Sequence, residues 1–412
     1  MTATSPTRTD DRWHLQDVRE RLESPIAPYY LLLGSSTMLL LFGLIMVLSA
    51  SSVTSYQDSG SSFTVFKNQL TYAVLGTVVA IVASRLSVRV WKFLALPAFA
   101  AAALLQLMVF TSLGRTVNGN RNWIGVGGFT FQPSELGKIG VVLLSALILA
   151  HKRAVLARLR HVLLPLVPLL LILFALVMLG HDLGTTMVLV LIAAAIFFVA
   201  GVRMRVFVGF GLLAVGGVIA AVVSSGNRTG RIDAWLGTCI SATTPGCYQK
   251  VHGMYAMADG GWWGVGLGAS REKWSWLPEA HNDFIFAIIG EELGLPGTLV
   301  VLALYIALGF ACYRMIVTSS NMFVRLATAG IMVWILAQAM INIGSVIGLL
   351  PIIGVPLPLV SSGGSALVTT LLALGILISF ARNEPDCKAA LAARPSLIRR
   401  TMAVLPSRKA TR

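Results

Sequence analysis

Long apolar runs alternate with short polar breaks along most of this chain, and the runs set the first expectation. A bilayer core of about 30 Å takes roughly 20 apolar residues as helix. Ten segments meet that length, at roughly 29–50, 68–84, 91–111, 135–150, 162–179, 184–202, 206–224, 296–315, 324–348 and 363–381. The pattern therefore predicts an all-α polytopic membrane protein with ten transmembrane helices. The first run is too long and too far from the start for a cleavable signal peptide, so residues 1–28 are expected to remain as a polar tail. No repeat recurs at solenoid periods.

Composition agrees with a lipid solvent. Of 412 residues 56% are hydrophobic and only 12% charged, and mean hydropathy is +0.80. Those values exclude a disordered chain, a disulfide scaffold and an ordinary soluble enzyme. The formal charge of +15 first raises the question of nucleic acid, and the placement of the bases answers it. With both termini cytoplasmic, 23 of the 32 Lys and Arg fall on the inner side, eight lie outside, and Lys138 alone sits within a span. This is the positive-inside pattern, and nucleic acid is not an expected partner. The expected organisation is a cytoplasmic tail at 1–28, a membrane domain at 29–382 and a basic cytoplasmic tail at 383–412. Outer loops are expected at 112–134 and 225–295, the larger one between helices 7 and 8. The basic tail reads first as an anchor on anionic membrane lipids. Cys239 and Cys247 share the larger outer loop, where they could form a disulfide or remain two thiols; no Cys/His spacing points to zinc.

Candidate chemistry is confined to a few places. Six of the nine Trp lie in the two long outer segments, most of them reading as an interfacial belt. Trp123 differs, because Arg121 and Asn122 precede it in a Gly-rich polar setting suited to stacking a sugar ring. Outside the tails there are ten acids, none in an inner loop, and an acid at membrane depth is a functional candidate by default. The densest polar stretch is Leu277-Pro-Glu-Ala-His-Asn-Asp-Phe284. Asn282 and Asp283 could cap the helix that follows, or Asp283, half-buried at the lipid–water boundary, could serve as a general base. From Phe284 to Met315 is 32 residues, about 48 Å as helix, so a break is expected at Gly294-Leu-Pro-Gly297. Phe131-Gln-Pro-Ser-Glu-Leu-Gly-Lys138 has helix-start chemistry; Glu135 and Lys138, at i and i+3, could be a buried ion pair or could face a polar cavity. His181-Asp182-Leu-Gly-Thr-Thr186 reads mainly as a structural cap. Pro351 to Ser365 predicts a re-entrant or irregular outer segment, in which Ser361, Ser362, Gly363 and Gly364 form either a phosphate-binding nest or a plain turn.

These motifs together resemble the SEDS family (shape, elongation, division and sporulation) from Leu31 to about Arg382. The resemblance is carried by Asn122-Trp-Ile, Phe131 to Lys138, Asp182-Leu-Gly-Thr, Gly264-Val-Gly-Leu-Gly, Leu277 to Gly294, and Gly354-Val-Pro-Leu-Pro-Leu-Val-Ser-Ser-Gly-Gly-Ser365. The division branch is the better match, the elongation branch second. Membership implies a peptidoglycan glycosyltransferase that polymerises lipid II on the outer face of the cytoplasmic membrane, at the septum. It places the essential loop aspartate on Asp283 and the external tryptophan on Trp123. The substrate-binding residues expected from motifs and resemblance are Trp123, Arg121, Lys138, Glu135, Gln132, Arg231, Lys273, His281, Ser361 and Ser362. Lys138, Arg121, Arg231 and Lys273 are the outer cations available to a leaving pyrophosphate, with Mg²⁺ or Mn²⁺ as the alternative source of charge. The implied partners are lipid II, a single-pass class B penicillin-binding protein and other division proteins. Asn282 stands where the family usually has Thr, and Tyr248-Gln-Lys-Val-His252 replaces Tyr-Gln-x-x-Gln, which leaves His252 outside the site. The Cys239–Cys247 stretch is an elaboration on the family pattern. Two other readings remain at this stage, a lipid II flippase and a non-enzymatic scaffold that activates a transpeptidase.

Overall fold

A computed structural model of the chain describes residues 24–117, 120–126, 129–153, 159–223, 226–237, 239 and 247–393. Most of both expected tails lies outside these residues. Helix α1 spans Ala27–Ser59, α2 Thr64–Arg85 and α3 Val88–Met108; a small sheet follows, then α4 (Pro133–His151), α5 (Leu159–Leu179), α6 (Leu183–Val199) and α7 (Met204–Val223). Two short helices, α8 (Gly226–Leu236) and α9 (Tyr248–Gly260), precede α10 (Ile285–Thr318), α11 (Met322–Val346), α12 (Gly364–Asn383) and α13 (Pro385–Ala392). Every one of the ten predicted apolar runs falls on a helix. Among the described residues seven helices, α1 to α4 and α10 to α12, are long and apolar enough to cross a membrane, and α5 and α6 contain shorter apolar stretches. The chain is a multi-pass membrane protein.

Two helices depart instructively from the expected lengths. Helix α1 continues to Ser59, well past the predicted end near residue 50. Its serine-rich last turns remain helical because their hydroxyls bond back to the helix, Ser51 Oγ to Val47 O at 2.7 Å and Ser59 Oγ to Ser55 O at 2.7 Å. It stops at Gly60, whose φ of 70° lets its N–H donate to Tyr56 O. Helix α10 is continuous by hydrogen bonding but breaks where expected, with Gly294 at φ 63° and ψ −157°. The turn after α9 docks on that break: Val265 N donates to Glu291 O and Gly266 N to Glu292 O, at 2.9 and 3.0 Å.

Gly264 is forced at this junction. Its φ is +77°, and a Cβ there would lie 2.3 Å from Glu292 O. We expect Gly264→Ala to cost at least about 2 kcal/mol. Gly268→Ala, also at positive φ but with nothing within 4 Å, should cost less. Thermal unfolding of the two variants in detergent checks this, and equal melting temperatures would refute it.

The all-α expectation needs one correction. The segment 112–134, expected as an outer loop, contains a three-stranded antiparallel sheet, β1 (Gly114–Val117), β2 (Asn120–Val126) and β3 (Phe129–Phe131), in the order β1-β2-β3. Arg115 pairs with Trp123 and Ile124 with Phe131. These strands are short and rich in β-branched and aromatic residues, so they pair locally in a segment with no apolar run long enough for a span.

The expected irregular segment between α11 and α12 is present, and protein covers it. Val355, Leu357, Leu359 and Val360 are buried, and Gly43 of α1 lets Leu359 O approach closely. Its carbonyls are satisfied by side chains from neighbouring helices: Gln338 Nε2 to Pro356 O at 2.9 Å, Asn342 Nδ2 to Val355 O at 2.8 Å, and Gln69 Nε2 to Ser361 O at 3.1 Å. Non-helical backbone at membrane depth needs such partners.

Candidate active site

A cavity of about 310 Å³ lies where the sheet, the starts of α4 and α6, helix α11, the segment before α10 and the segment between α11 and α12 meet. The sheet contributes Asn122 and Trp123, and the start of α4 contributes Gln132, Glu135 and Lys138. The segment before α10 supplies His281 and Asp283, and the re-entrant segment supplies Gly354 and Ser362. Asp182, at the start of α6, closes one side.

Asp283 is held by its backbone. Asn342 Nδ2 donates to Asp283 O at 2.7 Å, while Asn282 O accepts from Ser361 Oγ at 2.6 Å and His281 O from Ser362 N at 2.9 Å. Helix α10 is entered at Phe284 with no side-chain cap, so Asp283 is not its N-cap. Asn282 is spent locally, its Nδ2 donating to Glu279 Oε2 at 2.6 Å. Among the described residues no donor is hydrogen-bonded to the Asp283 carboxylate. Burial pushes its pKa up to about 6; Glu279 acts in the same direction, and Arg231 opposes it. Burial lowers the pKa of His281, against the pull of Glu279 and Asp58, which favours a neutral ring.

Glu135 and Lys138 satisfy both of their earlier readings. They form a buried ion pair at 2.7 Å and also line the cavity. Lys138 Nζ donates as well to Gln338 Oε1 at 3.1 Å and lies 5.0 Å from the centre of the Trp334 ring, while Thr369 donates to Glu135 Oε2. These contacts fix where the Lys138 ammonium points. Asp182 accepts from Thr185 N at 2.9 Å, the expected cap, and from Gln132 Nε2 at 2.8 Å. One carboxylate thus both starts α6 and orients a cavity glutamine.

Other expected residues are engaged elsewhere. Arg121 does not line the cavity; its guanidinium holds Val109 O and Thr111 O at 3.1 and 2.9 Å and anchors the sheet. Lys273 is turned inward, with Nζ on Glu292 Oε1 at 3.0 Å and on Gly268 O. Ser361 Oγ ties Leu357 N to Asn282 O. The nest reading fails for three of its amides, since Ser361 N, Ser362 N and Gly363 N donate to Leu357 O, His281 O and Gln69 Oε1. Arg231 approaches the site from α8, its Nη1 donating to Ile352 O at 3.3 Å. Cys239 and Cys247 are joined as a disulfide. His252 pairs with Glu272 at 2.7 Å, away from the residues lining the cavity. Among the described residues no group of three or more His, Cys, Asp or Glu could cage a metal.

Gln338 and Asn342 are the site residues the sequence reading missed. They sit one turn apart on α11, where a polar stripe in an otherwise apolar span is the signal that would have found them.

Residues 30–385 match the cell cycle protein family FtsW/RodA/SpoVE. A "Probable peptidoglycan glycosyltransferase FtsW" of Mycobacterium tuberculosis is 41% identical over 373 residues, covering 90% of this chain and 71% of that protein. The stage V sporulation protein E of Bacillus subtilis is 36% identical over 360 residues, covering 86% and 97%. Among solved structures, a chain of a peptidoglycan synthase complex superposes with a TM-score of 0.69 at 26% identity, covering 85% of this chain and 97% of that one. The rod shape determining protein RodA of Thermus thermophilus gives 0.65 at 25%, covering 86% and 97%.

Proposed function

The chain belongs to the FtsW/RodA/SpoVE family and is a peptidoglycan glycosyltransferase, and we propose that it polymerises lipid II with Asp283 as the general base. The observation that supports this role is a carboxylate of raised pKa, with no hydrogen-bond donor on it among the described residues, in a cavity shared with Trp123 and Lys138. Asp283 takes the proton of the GlcNAc 4-hydroxyl on the incoming lipid II. The oxygen then attacks the anomeric carbon of the MurNAc at the end of the growing strand. The bond from that carbon to the pyrophosphate oxygen breaks, with inversion, and undecaprenyl pyrophosphate leaves. Lys138 is the cation positioned in the cavity for the charge that builds on the leaving group, and the Trp123 ring is a floor for the sugar. Ten spans with both ends inside, a septal location and a class B penicillin-binding protein as partner complete the proposal. The helices over all ten predicted runs and the likeness to a peptidoglycan synthase complex support these parts.

Proteoliposomes containing the protein, its transpeptidase partner and labelled lipid II test the reading. We expect glycan strands; movement of lipid II between leaflets without polymer would favour the flippase. The pH profile gives a second check. The base acts when deprotonated, so the rate should be full above about pH 7 and fall as pH drops through about 6, where Asp283 takes up its proton. A rate that stays flat from pH 8 to 5 would remove Asp283 from the role.

A further inference from the structure

Helix α8 carries Arg231 to the side of Asp283. A Cβ placed on Gly354 would stand 3.4 Å from Asp283 Oδ2 and 4.0 Å from Arg231 Nη1, so both groups crowd the same glycine. Only 11 residues long, α8 is too short to be fixed by spanning the membrane. Several ties join it to α9. The Cys239–Cys247 disulfide closes the connection, and Lys250 Nζ donates to Ala234 O and Trp235 O in the last turn of α8, at 3.1 and 3.2 Å. Ala234, Cys247 and Val251 form a small buried cluster with Cys239 packed against it.

Helix α9 is fixed in turn to the start of α10. Gly253 lies against the Phe284 ring, and Gly260 lies against the backbone of Gly290, where a Cβ would come within 1.9 Å of its carbonyl oxygen. Phe284 is the residue after Asp283. The ties therefore run in a ring from Arg231 through α8, the disulfide, α9 and Phe284 back to Asp283.

We propose that the Cys239–Cys247 bridge is a strut that holds Arg231 beside Asp283, making both cysteines positioning residues for glycosyl transfer. This rests on Asp283 acting as the base. The outer-loop location suits a bridge, because thiols there face an oxidising compartment. Among the described residues, the charged or titratable groups around Asp283 are Glu279 and His281 from its own segment, Arg231 from α8, and Glu135, Lys138 and Asp182 across the cavity. Of these, Arg231 is the cation that favours ionised Asp283. Slackening the strut removes that help, so the acidic limb of the rate profile moves to higher pH.

The test is the pH profile of glycan synthesis in proteoliposomes with the transpeptidase partner. Arg231→Gln should shift the acidic limb upward. The Cys239→Ser/Cys247→Ser variant should shift it the same way, with about a threefold loss of rate at pH 6 relative to pH 8. Combined with Arg231→Gln, removing the bridge should add no further shift. Lys250→Met loosens the same joint with the bridge intact and should also shift the limb upward; it decides the matter if the bridge-free protein does not fold. A wild-type profile in the bridge-free protein, or in Lys250→Met where only that one can be made, overturns the strut. So does a bridge effect that persists in the Arg231→Gln background. Asp283→Asn separates the two ideas: synthesis retained in that variant removes the base, whereas a dead Asp283→Asn with an unshifted bridge-free profile removes the strut alone.

Discussion

Asp283→Asn should lower polymerisation of lipid II by about two to four orders of magnitude while leaving lipid II bound. The size is that of a lost general base. The substitution suits the site because the structure gives the carboxylate no local duty. Helix α10 starts without a side-chain cap, and Asp283 is tied in place through its backbone oxygen by Asn342. An amide of the same shape should therefore leave the fold and the cavity intact and remove only the proton acceptor. Binding of labelled lipid II and the melting temperature are the controls. A scaffold that merely recruits a transpeptidase would tolerate the change, so glycan synthesis at the wild-type rate by purified Asp283→Asn would sink the assignment. Asn342→Ala should act more mildly, since it frees the backbone that aims the base while the carboxylate stays.

The helical frame was legible because a lipid solvent leaves a plain mark: a run of about 20 apolar residues has few other uses. The break in α10 was equally plain, since Gly294-Leu-Pro-Gly297 combines backbone freedom with a missing N–H. Element ends were less visible. The last turns of α1 read as loop by polarity, yet serine hydroxyls that bond to their own helix cost it little. The sheet was missed because short strands in a Gly-rich loop carry no extended alternation. In the site, residue type identified which groups were costly to bury but not which way they pointed. Lys138 and Lys273 are both buried lysines paired with glutamates; one lines the cavity and the other braces a loop. Arg121 has the chemistry of a ligand, but two carbonyls of its own segment claim it.

Lys273 leads to the second large effect, a loss of stability in Glu292→Ala. Glu292 is fully buried, and Lys273 is 3% exposed. The carboxylate accepts from Lys273 Nζ at 3.0 Å, from Ser49 Oγ of α1 at 2.8 and 2.7 Å, and from Ser270 N at 3.4 Å. Its neighbour Glu291 takes Ser270 Oγ and Arg271 N, both at 2.6 Å. These bonds fasten the loop that leads to Asp283 onto both α1 and α10. Removing one partner of a buried pair leaves the other charge unpaired, which costs about 3–5 kcal/mol. Glu292→Ala and Lys273→Met should each approach that loss in detergent unfolding, and glycan synthesis should fall with it because the loop is no longer held. The double variant, with neither charge left buried alone, should be more stable than the sum of the two losses allows. If Lys273 instead served the pyrophosphate directly, Lys273→Met would raise KM for lipid II and leave the melting temperature where it was. The two outcomes are separable in one preparation. The geometry favours the first, because the Lys273 ammonium is held by Glu292 and Gly268 O and, unlike Lys138, does not line the cavity.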